Sequence, residues 1–103
     1  MAETIDEITC TWEENGTVTV EELDKVILSR GSWVTIIFKF REMAKSGEYG
    51  AAKFTLRRYQ KRNGVYRQQS KFNISSLAQA RGILDALQGW VNEAAEAGQS
   101  EDE

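Results

Sequence analysis

The chain has 103 residues with a net charge of −3, 41% hydrophobic and 28% charged residues. That is enough for one domain with a modest core, and the aromatic and β-branched content excludes a disordered chain. The absence of histidine, the single cysteine (Cys10) and the short apolar runs exclude histidine-based catalysis, a disulfide framework, a cysteine zinc site and a membrane-spanning helix.

The elements read as follows in chain order. Met1 to Glu7 is acidic and has no apolar stretch, so no signal peptide is expected and the expected location is the cytoplasm, the nucleoid included. Ile8, Cys10 and Trp12 alternate with polar residues and predict a half-buried strand. Asn15-Gly16 then marks a tight hairpin turn, because both positions of that turn need positive φ. Thr17 to Glu22 alternates again and completes a hairpin. Residues 19–28 carry a rival signal, since Thr19-Val20-Glu21-Glu22 has capping-box spacing and Leu23, Val26 and Ile27 have helical spacing.

Trp33 to Arg41 predicts a long strand with Val34, Ile36, Phe38 and Phe40 on one side. Residues 42–50 read as a loop. Lys53 to Lys61 predicts a further strand with Phe54 and Leu56 inward. Asn63-Gly64 is the second hairpin signal, and Val65 to Ile74 returns with Phe72 and Ile74 inward. Ser75-Ser76 can cap a helix, in which Leu77, Ala80, Ile83, Leu84, Leu87, Trp90, Val91 and Ala94 form an apolar stripe. Gly82 and Gly89 interrupt that helix and either mark close packing against a second copy or are simply tolerated. The expected fold is α+β: a curved antiparallel sheet of four or more strands packed by one C-terminal helix. It occupies residues 1–95, and residues 96–103 are expected to form a disordered acidic tail.

Charge is segregated along the chain. Residues 1–28 sum to −7, residues 29–75 to +9 and residues 76–103 to −5. No acid occurs between Tyr49 and Leu84. A local basic field is what a polyanion feels, whatever the net charge. The outward positions of the three central strands would present Trp33, Lys39, Arg41, Lys53, Arg57, Tyr59, Lys61, Arg67, Gln69 and Lys71 as one face. Cations follow phosphates, and rings and guanidinium planes stack on unpaired bases, so this mixture points to single-stranded nucleic acid. Arg58 and Arg62 fall outside that face and receive no role. The bland reading of the same residues is a solvated sheet surface that discourages edge pairing. Cys10 reads as a small core residue.

At these residues the chain resembles the positive-cofactor-4-like family of transcriptional coactivators. The resemblance runs from about Trp33 to Val91. It is carried by Phe54-Thr55-Leu56-Arg57-Arg58-Tyr59 and by Lys71-Phe72-Asn73-Ile74-Ser75 leading into the helix. The chain departs from the family pattern at Phe72, where a glycine usually follows the basic residue. The resemblance implies a curved four-stranded sheet with one helix, binding of single-stranded DNA through the sheet by Arg57, Tyr59 and Lys71, and a homodimer formed through the helix. The expected function is single-stranded DNA binding, with transcription regulation as its context. The alternatives are RNA binding by the same face and a protein-interaction module with acidic ends. No enzyme, metal or cofactor is expected, for there is neither a glycine-rich phosphate loop nor metal-ligand spacing.

Overall fold

Asn15 and Asn63 have φ of 51° and 53°, and the glycines that follow have φ of 82° and 78°. Two positive-φ residues in a row make the tight turn whose twist matches that of paired strands. Two hairpins follow directly from these two dipeptides. The computed structural model describes residues 2–100. It contains a short 3-10 turn (Ile5–Glu7), β1 (Trp12–Glu14), β2 (Thr17–Ser29), β3 (Trp33–Glu42), β4 (Lys53–Arg62), β5 (Val65–Ile74) and one α-helix, α1 (Leu77–Glu96). The strands form one antiparallel sheet in the order β1-β2-β3-β4-β5, curled into a half-barrel.

Residues 19–28 are strand, not helix. Tertiary pairing decides the matter: Glu21 lies across from Arg41 and Asp24 across from Lys39, so opposite charges face each other on β2 and β3. Register shifts between Glu22 and Asp24 and between Ile27 and Ser29 bend β2, as bulges do, and this bending curls the sheet.

Alternation within β3 is as expected, with Val34, Ile36, Phe38 and Phe40 all buried. What covers them is not the helix. Residues 2–11 cross this inner face, and Ile8 and Cys10 join Val34, Ile36, Phe38, Phe40, Tyr59 and Tyr66 in the core. Ile8 to Thr11 is therefore a crossing segment and not the predicted strand, although its alternation is real. Ala2 bridges to Tyr66 at one end of the crossing. The Lys25 ammonium donates to the carbonyls of Ile5, Asp6 and Ile8 at 2.9, 3.2 and 2.6 Å. Near the other end, the Glu22 carboxylate accepts from the Thr9 hydroxyl at 2.7 Å and the Cys10 N–H at 3.4 Å. Burying one side chain the size of Ile8 contributes about 1.5–3 kcal/mol. The segment is a fixed layer of the fold.

Ser76 caps α1 by accepting from the Gln79 N–H at 3.0 Å, and Gln79 Oε1 accepts from the Ser75 N–H at 2.7 Å. The helix buries no residue, and Leu84, Leu87, Trp90 and Val91 of its apolar stripe are exposed. A Cβ on Gly82 or Gly89 would meet nothing within 4 Å in this chain. The helix ends at Glu96, within the stretch expected to be tail, and residues 101–103 of that stretch lie outside the described residues.

Candidate nucleic-acid interface

Side chains directly across from each other in an antiparallel pair share a face. Val34 pairs with Tyr59, Ile36 with Arg57 and Phe40 with Lys53. Arg57 pairs in turn with Lys71 and Lys61 with Tyr66. Lys53, Arg57, Tyr59, Lys61 and Lys71 therefore lie on the inner face with the core of β3. Trp33 pairs with Gln60 and Lys39 with Phe54, and Gln60 pairs with Arg67. Trp33, Lys39, Arg41 and Arg67 belong to the outer face. Gln69 is the extra residue of a register shift opposite Arg58 and Tyr59, and its amide donates to the Arg67 carbonyl at 3.2 Å.

The single basic-aromatic face read from the sequence is thus split between two faces. Alternation finds the two sides of each strand but not which side of one strand meets which side of the next. A one-residue change of register exchanges the faces. The same exchange gives the sheet two apolar faces. Val26, Ile37, Leu56 and Phe72 form a direct cross-strand row on the outer face, with Phe54 across from Ile74 beside it. Phe54 also lines a groove with Leu77, Ala80 and Leu84 of the helix.

On the inner face Tyr59 is buried beneath residues 2–11, and Arg57 is partly buried beside it. Burial raises the Tyr59 pKa above its ordinary value, and the adjacent Arg57 guanidinium pulls in the opposite direction. Burial likewise pushes the Cys10 thiol up to about 11, with Arg57 lowering and Glu22 raising it. Lys53, Lys61 and Lys71 are exposed along β4 and β5. Lys53 approaches Glu42 at 3.5 Å, and the Lys61 ammonium sits 5.4 Å from the centre of the Tyr66 ring.

The outer face holds a compact cluster at the turn end of the β4–β5 hairpin. The Arg58 guanidinium lies 4.5 Å over the exposed Trp33 ring. Trp33, Gln60 and Arg67 make one cross-strand row, and Arg62 Nε donates to Gln60 Oε1 at 3.0 Å. Sequence reasoning missed Arg58 and Arg62 here. The signal that finds them is the β3–β4 register, which no residue pattern encodes. Arg41, by contrast, is engaged elsewhere, bonded to Glu21 at 2.7 Å and stacked 4.0 Å over Tyr49. Seven Lys and Arg and no acid lie between residues 53 and 74, so the β4–β5 edge of the sheet is basic on both faces. The opposite edge, β1 and β2, carries the acids Glu13, Glu14, Glu21, Glu22 and Asp24.

Among the described residues no cluster of three or more histidine, cysteine or acidic side chains is placed to hold a metal, and no helix is long and apolar enough to cross a membrane. No protein-family model, no curated protein and no solved structure matches this chain.

Proposed function

We propose that this protein binds single-stranded nucleic acid, DNA in the first instance, through the β4–β5 hairpin. The observation that carries the reading is the acid-free hairpin ending in the Trp33–Arg58 platform, with Gln60, Arg62 and Arg67 around it. Guanidinium groups attract phosphates, and an exposed indole face stacks on any unpaired base, contributing about 1–3 kcal/mol per base. A duplex keeps its bases paired and stacked, out of reach of such a platform, whereas a single strand offers them. The resemblance to the positive-cofactor-4-like family supports the same ligand class. Of the motif positions, only Lys71 is exposed in this chain, Tyr59 being buried and Arg57 partly buried on the inner face, so the platform residues proposed here are different ones.

The same reading includes a homodimer. The outer row of Val26, Ile37, Leu56 and Phe72 and the exposed helix stripe are apolar surfaces of the kind that protein partners cover. The α1 helix of a second copy laid on that row covers both at once. The row lies two and four residues from Arg58 and Gln60 along β4, roughly 7 and 13 Å at strand rise. The helix leaves β5 at Ile74, the end opposite the Asn63-Gly64 turn.

Fluorescence anisotropy with labelled single-stranded and duplex oligonucleotides tests the function. Tight single-strand binding that weakens steeply with salt is expected, through release of counterions. Absence of single-strand binding at low salt would reduce the basic hairpin to a solvated surface.

A further inference from the structure

A cleft of about 410 Å3 opens on the inner face between residues 9–12 and strands β4 and β5, lined by Thr11, Trp12, Arg57, Tyr59 and Gln68 among others. Trp12 stands 61% exposed at this cleft although its indole is a large apolar surface. Its Nε1 donates to Glu14 Oε1 at 3.3 Å. Gln68, directly across from Tyr59, is exposed. The Arg57 Nε is buried without a hydrogen-bond partner among the described residues, a condition native proteins rarely leave unexplained.

We infer that this cleft receives one unstacked nucleobase of the bound strand, an inference that rests on the single-strand reading above. The lining favours a base over a phosphate, for apart from Arg57 it is uncharged and largely planar. Glu22, held by the Thr9 hydroxyl and the Cys10 N–H, opposes Arg57 at this site, since both charges act on Cys10 and Tyr59. The Cys10 thiol and Tyr59 phenol stay neutral at pH 7. Arg57 is the one charged side chain in the lining, with Glu22 behind Thr9 and Cys10, and the rest is planar walls, hydroxyls and a carboxamide. That chemistry suits an uncharged ring carrying both donors and acceptors. A phosphate would meet the Glu22 field, and it finds a better place outside, on exposed Lys71 directly across from Arg57.

The test is a cycle of two changes, Trp12→Ala in the protein and abasic sites in the strand, read by anisotropy at fixed salt. Trp12→Ala is expected to weaken an intact oligonucleotide about tenfold, the scale of one lost stacking contact, and to leave the abasic strand unaffected. Gln68→Ala, a surface change that leaves the core intact, is expected to show the same coupling with a smaller loss. Equal losses on intact and abasic strands, or no loss on either, would overturn the cleft assignment while the single-strand reading stands. If the unaltered protein binds no strand at low salt, both readings fall together.

Discussion

Arg58 and Trp33 form a stacked pair on the outer face, the guanidinium 4.5 Å from the ring centroid, although their strands meet with Thr35 across from Arg58. The pair is diagonal, so both groups stay at the surface. A cation over an exposed ring contributes only about 0.5–1 kcal/mol to the fold. Trp33→Ala is therefore expected to change the melting temperature little and to weaken single-strand binding about tenfold. Anisotropy paired with thermal unfolding checks this; a large fall in melting temperature with unchanged binding would make the pair structural.

Leu84 is 65% exposed on the helix stripe, and Phe72 is 53% exposed at the end of the outer apolar row. If a second copy covers both, Leu84→Glu places a charge in an apolar interface and yields a folded monomer. Sedimentation velocity is expected to show a dimer for the unaltered chain and a monomer for the variant. A monomer in both would leave the helix stripe unexplained by self-association.

Gly82 lies 200° around the helix from Leu84, at 100° per residue, on the side away from the stripe. A Cβ there meets no neighbouring atom within 4 Å. Gly82→Ala is expected to stabilise the protein by about 1 kcal/mol through helix propensity alone and to leave the dimer intact. Destabilisation would show that a partner packs against this side of the helix after all.

Cys10 and Tyr59 share a sign of pH dependence. Burial raises both pKa values in the folded protein, the thiol from 9.0 to about 11. Above pH 9 the unfolded thiol loses its proton while the folded one keeps it, so the unfolded state gains stability. The melting temperature is expected to be insensitive to these groups below pH 9 and to fall between pH 9 and 11. In Cys10→Ala the fall is expected to be shallower. The buried thiol should also resist alkylation at neutral pH until denaturant is added, which a mass measurement reads directly.

Much of the fold was legible because it is local. Asn15-Gly16 and Asn63-Gly64 demand their turns, Ser76 caps the helix, and alternation separates Val34, Ile36, Phe38 and Phe40 from their neighbours. The assembly of those strands was not legible. Phe54, Leu56, Phe72 and Ile74 do share a face, but it is the face opposite the buried side of β3. Both sides of the sheet are apolar in places, so hydrophobicity alone could not choose the register. The role of Ile8 and Cys10 also depended on a long-range event, the crossing of residues 2–11 over the sheet, which Lys25 and Glu22 anchor. That crossing takes Tyr59 out of solvent, whereas Trp33 and Arg58 stay exposed as a stacked pair on the other face.

The most direct measurement is the salt dependence of single-strand affinity for the unaltered protein and for the triple variant Arg58→Ala, Arg62→Ala, Arg67→Ala. Each phosphate neutralised on a single strand contributes about 0.7 to the slope of log affinity against log salt. If the outer platform holds the strand, the slope is expected to shrink by about 2 while the fold melts as before. An unchanged slope with retained binding would contradict the account and place the strand elsewhere on the protein.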